Sequence, residues 1–120
     1  MKLDKAVYGD DIVLTVEADR IDAANAVYLK ESFSAATKGE SGRVIMDLGR
    51  VLFLDSSGLG AIVATMKQLD VPRKLELCNL QPAVEKVFAL TRMHTIFPIH
   101  DDLNAANIEG IGGSKNASAA

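Results

Sequence analysis

The sequence predicts an α/β domain: a mixed, mostly parallel β-sheet with about four helices packed on it. Three observations carry this. Short β-branched runs alternate with segments of helical periodicity, which implies helices packed against a sheet. Arg43–Leu48 (RVIMDL) holds a continuous apolar run, as a strand buried on both faces requires. Gly9-Asp10-Asp11 sits between Val7-Tyr8 and Ile12–Val16 (IVLTV), a turn between two strand-like runs, so at least one strand pair is antiparallel.

The elements follow in order. After the opening hairpin, the polar run Glu17–Asp22 (EADRID) closes the second strand. Asp22 is the expected N-cap of a first helix, in which Ala26, Leu29, Phe33 and Ala36 share one face. Lys38–Gly42 (KGESG) ends it as a surface loop. Arg43–Leu48 is the central strand, Gly49-Arg50 breaks it, and Val51–Leu54 leads into Asp55-Ser56-Ser57-Gly58. A second helix follows, with Leu59, Ile62, Val63, Met66 and Leu69 on one face. Pro72 marks the Asp70–Lys74 loop, and Leu75–Cys78 is a further strand. Pro82 suits the first turn of a third helix with Val84, Val87 and Phe88 inward. Thr95–Ile99 is expected as a last strand, with Pro98 at an edge or a strand end. Asp101-Asp102 is expected to cap a fourth helix from Leu103 to about Ile108. Residues 1–110 then form one domain, and 111–120, small and polar, read as a flexible tail.

Composition narrows the function. The chain has 120 residues, 48% of them apolar, so it can bury a core without a disulfide or metal staple. Thirteen basic residues face 16 acidic ones, a net charge of −3, which gives no footprint for a nucleic-acid backbone. Cys78 is the single cysteine and is expected as a core thiol, so no thiolate metal cage can form. His94 and His100 are read as surface or strand-end residues. The acidic start MKLDKAVYGDD is no signal peptide, and no apolar run reaches the roughly 18 residues of a membrane span. The expectation is a soluble cytoplasmic protein with no metal, no cofactor and no membrane contact.

The most informative segment is Phe53–Gly60 (FLDSSGLG). It places two hydroxyls at a helix N-terminus, where unpaired N–H groups and the positive dipole end favour a phosphate. Gly58 and Gly60 permit close approach by backbone or by a partner. A plain N-cap followed by tight packing is the competing reading of the same residues. Asp22 and Asp55 read as two caps rather than as a carboxylate pair for acid–base or metal chemistry. A nucleophile elbow, G-x-S-x-G, would need glycine where Leu54 stands, so no catalytic role is expected.

Over roughly residues 3 to 109 the chain resembles the STAS domain, the fold of anti-sigma factor antagonists. VIMDLGRVLFLDSSGLGAIV carries the resemblance, supported by Asp19-Arg20-Ile21-Asp22 and by LELCNLQPAVEKVFALTRMHTIFPIHDD. It departs from the family at Asp19 and after Thr91, where Arg92 follows; glycine is usual at both places. The resemblance implies a bacterial transcription regulator working by partner switching. In that family the serine after the aspartate, here Ser56, is phosphorylated by an anti-sigma factor that is itself a serine protein kinase. The unphosphorylated antagonist binds that kinase and frees the sigma factor. Phosphorylation stops the binding, and a serine phosphatase of the metal-dependent type restores it. Ser57 is the alternative acceptor. The partner surface implied is Asp55, Ser56, Ser57, Gly58, Leu59 and Gly60, with Asp19 and Asp22 beside it. The alternative role is a STAS scaffold or accessory subunit of a stress-signalling or lipid-transport assembly, without a phospho-switch.

Overall fold

The computed structural model describes residues 1–108 and 110. The expected tail, 111–120, lies outside the described residues. Five strands form the main sheet: β1 (Leu3–Tyr8), β2 (Asp11–Val16), β4 (Val44–Asp47), β6 (Leu75–Cys78) and β7 (Ile99–His100), in the order β1-β2-β4-β6-β7. The hairpin β1–β2 is antiparallel and every other pair in this sheet is parallel. Two short strands, β3 (Arg20–Ile21) and β5 (Phe53–Leu54), pair in parallel as a separate ribbon.

Alternation along the strands builds two unequal cores. Ile12, Leu14, Val44, Met46, Leu75 and Leu77 face the helices and join Leu29, Phe33, Ile62, Val84 and Phe88 in the larger one. The alternate residues Val13, Ile45 and Cys78 form a smaller core on the other face, covered by Ala106, Ile108, Tyr8 and Leu103. Helices α1 (Ala26–Thr37), α2 (Ser56–Lys67) and α3 (Pro82–Leu90) lie on the first face. Phe88 meets Phe97 edge-on, with ring centroids 5.7 Å apart.

The expected core faces of all three helices are the buried or half-buried ones. Four expectations need correction. The expected fourth helix is a single turn among the described residues: Asp102 starts it through Ala105 N and Ala106 N as a helix cap would, but Asn107 has φ 59°, a left-handed conformation that ends it, and residues 101–107 make only bends and turns. The last strand is Ile99–His100; Met93–Thr95 form a 3-10 turn before it. Asp22 does not cap α1 directly. Its side chain accepts from Ala24 N and its carbonyl from Ala26 N, so it closes the turn that leads into the helix at Asn25. The run Glu17–Asp22 is not merely polar closure, since it contains β3.

The turn after α3 contains Arg92, the position where the resemblance leads to an expectation of glycine. Arg92 has φ 61°, a left-handed conformation that glycine adopts without strain.

Candidate functional site

Helix α2 starts where β5 ends, because Asp55 breaks the strand and caps the helix. Asp55 has extended backbone angles and its Oδ1 accepts from Gly58 N at 2.8 Å. Its carbonyl accepts from Leu59 N at 2.9 Å. Ser56 and Ser57 are therefore the first two helical residues, and both are exposed. Neither hydroxyl has a hydrogen-bond partner among the described residues. Their backbone N–H groups are two of the donors that a helix start leaves without an intrahelical acceptor.

The ribbon β3–β5 sets what lies beside this turn. Arg20 pairs with Phe53 and Ile21 with Leu54. The carbonyl of Asp19 accepts from Leu52 N at 2.7 Å, and that of Ile21 from Asp55 N at 3.4 Å. The segment Asp19–Asp22 is thus brought against the entry to α2. Arg20 bonds Asp22 at 2.8 Å and lies 4.7 Å from the centroid of the Phe53 ring. The Arg20 hydrogen bond is the main cause that holds the Asp22 carboxyl below its usual range.

The two glycines of this turn differ. Gly58 is buried, and a Cβ there would lie 2.1 Å from the Ile21 carbonyl oxygen. Its missing side chain lets α2 seat on β3, so it offers no surface to a partner. Gly60 is exposed with open space where a Cβ would stand. Leu59 is half-buried against the core. Of the residues expected to face a partner, Asp19, Ser56, Ser57 and Gly60 are exposed, Asp22, Asp55 and Leu59 are partly so, and Gly58 is not.

Sequence reasoning did not mark the apolar surface nearby. Leu52 is 59% exposed and Phe53 45%. Two adjacent apolar residues in β5 and the segment before it follow no alternation, so periodicity hides them.

Other chemistry-bearing residues lie apart from this turn. Cys78 is fully buried, and burial, then the charges of Asp47 and Asp102, push its thiol up to about 12. His100 Nε2 sits 2.8 Å from Glu76 Oε1 in β6, and His94 Nδ1 lies 3.2 Å from the Phe88 carbonyl. Among the described residues no three His, Cys, Asp or Glu side chains come together as a metal site. No helix among them is long and apolar enough to cross a membrane.

The family model described as STAS domain matches residues 2–106. The chain belongs to the STAS domain family. This STAS domain is 36% identical over 87 residues to BtrV of Bordetella bronchiseptica, whose name assigns it as an anti-sigma factor antagonist; the match spans 72% of this chain and 75% of BtrV. Its fold is also that of the anti-sigma factor antagonist SpoIIAA in its unphosphorylated form, with TM-score 0.69 and 22% identity over 96% of this chain and 100% of that one. The Bacillus cell fate determinant SpoIIAA in its phosphorylated form superposes with TM-score 0.62 at 22% identity, covering 88% of this chain and 97% of that one.

Proposed function

We propose that this STAS domain is an anti-sigma factor antagonist switched at Ser56. The unphosphorylated form binds an anti-sigma factor that is also a serine kinase, in the cytoplasm, and releases the sigma factor. Phosphorylation of Ser56 ends that binding, and a metal-dependent serine phosphatase reverses it. The observation that carries the reading is the exposed, unbonded Ser56 hydroxyl on the first residue of α2, directly after its capping Asp55. The name of BtrV supports the class of function, and the phosphorylated SpoIIAA structure supports a fold that tolerates the modification.

The physical case for a switch is one of charge. A phosphate adds about −1.5 to −2 charges at neutral pH. The free N–H groups of the first turn and the helix dipole favour it by about 0.3–1 kcal/mol, so the domain stays folded. A partner seated on the Ser56–Gly60 rim and the neighbouring Leu52–Phe53 surface would have to desolvate that charge beside Asp55. This cost exceeds the dipole gain, so binding falls while stability does not.

Incubation with a cognate kinase and ATP, followed by phosphopeptide mass spectrometry, tests the site. A single phosphoryl group on Ser56 is expected. Its mapping to Ser57 would overturn the assignment. A partner that binds both forms equally would indicate a scaffold or accessory subunit instead.

A further inference from the structure

At the other end of α2, the last helical turn and the loop to β6 enclose an open groove of about 500 Å³. Met66, Leu69, Val71, Pro72 and Ile96 give it an apolar lining. Val71 is 94% exposed and Ile96 42%. Its rim is basic, formed by Lys67, Arg73 and Lys74. None of these three makes an ion pair among the described residues, which is equally true of Lys30, Lys38, Lys86 and Arg92, and Arg73 and Lys74 also line a neighbouring pocket with Asp10, Asp11 and Glu76. Arg73 donates from Nε to the Gly42 carbonyl at 3.2 Å, and its Nη2 is enclosed with no acceptor. Asp70 is the one acid in the loop; its carbonyl is occupied by Arg73 N.

We propose that this groove is a second docking surface, for an acidic protein segment that carries an apolar anchor side chain. The anchor would cover Val71 and Ile96, and the segment's carboxylates would meet the exposed Lys67 and Lys74. Three cations fall short of the four to eight that mark an anionic-lipid site. The chain's own residues 111–120 do not complement the rim, since they hold one lysine and no acid. Helix α2 has 12 residues, so the groove lies roughly 18 Å along its axis from Ser56. Occupancy of the groove is therefore independent of phosphorylation.

The test uses the full ¹⁵N-labelled chain and a synthetic 12-residue peptide with Asp and Glu flanking a central Leu-Phe pair. The same peptide with Lys for every acid is the control, and mixed phosphatidylglycerol–phosphatidylcholine vesicles are the competing probe. The acidic peptide should shift the amides of residues 66–74 and 96. The double variant Lys67→Glu, Lys74→Glu should bind it at least tenfold more weakly, and Val71→Ser should also weaken it. These side chains are exposed, so the variants should fold; their thermal melts verify it. Ser56→Asp should bind the peptide as the wild type does. The proposal is overturned by absent shifts, by equal binding of acidic and basic peptides, or by unchanged affinity in the double variant. It is equally overturned if only the vesicles bind, or if the patch instead drives self-association that Val71→Ser abolishes. Loss of peptide binding in Ser56→Asp would contradict independence of the two surfaces. None of these outcomes bears on whether Ser56 is the phosphorylated residue.

Discussion

The entry to α2 and the joint around Arg43 treat polar groups in opposite ways. At Arg43, Nε and Nη2 donate to the two oxygens of Glu76 at 2.9 and 2.6 Å, and Nη2 also donates to the Ala106 carbonyl at 2.8 Å. His100 takes up the Glu76 carboxylate from the neighbouring strand. Every group there is consumed in fastening the C-terminal segment over Val13, Ile45 and Cys78. At the start of α2, Asp55 consumes one N–H, and the hydroxyls of Ser56 and Ser57 are left to solvent. Saturated polar groups mark a joint that holds the fold. Unsaturated ones on a rigidly seated turn mark a place where chemistry can be added without taking the fold apart.

The hardest way to break this contrast is at the seat itself. Gly58→Ala places a Cβ against backbone, the Ile21 carbonyl, which cannot swing aside. Overpacking of this kind should cost about 3 kcal/mol, read as a lower urea midpoint. A midpoint equal to wild type would show that α2 is not seated on β3 as described.

Breaking the joint should cost somewhat less. Arg43→Met leaves Glu76, whose side chain is 14% exposed, with only His100 as a side-chain hydrogen-bond partner. The loss should be about 2 kcal/mol, with faster amide exchange over residues 103–108. Burial works to raise the Glu76 pKa, but the Arg43 and His100 hydrogen bonds outweigh it, and the carboxyl ends below its ordinary value of 4.5. The unfolded chain then binds more protons than the folded one in that range. The stabilisation is complete above the ordinary value and is lost as pH falls through the lower folded one. Urea midpoints measured from pH 7 to pH 3 should fall less steeply for Glu76→Gln than for wild type. Parallel curves would remove Glu76 from the joint's pH dependence.

The smallest effect sharpens the contrast between the two glycines. Gly60→Ala meets open space, so only helix propensity acts, and stability should rise by about 0.5–1 kcal/mol. A loss of stability would mean that Gly60, like Gly58, is packed.

Much of the fold was legible because its signals are local. The Gly9-Asp10-Asp11 turn, the buried run Val44–Met46 and the helical faces of Leu29–Phe33 and Ile62–Met66 each fit one periodicity. The ribbon β3–β5 was not legible, since two residues cannot show alternation and its pairing spans 33 positions. The Arg43 joint was hidden for the same reason: its partners meet only through the sheet. Asp55-Ser56 was legible as a helix start, but spacing alone could not say that Gly58 faces inward and Gly60 outward. That distinction depends on where Ile21 lies.

The central claim, that Ser56 gates binding without holding the fold, is tested most directly by calorimetry. A cognate anti-sigma factor is titrated with the unphosphorylated domain and with the domain phosphorylated enzymatically at Ser56. The account predicts at least tenfold weaker binding of the phosphorylated form, about 1.4 kcal/mol, with thermal melts that show both forms folded. Equal affinities, or a phosphorylated form that has unfolded, would contradict it.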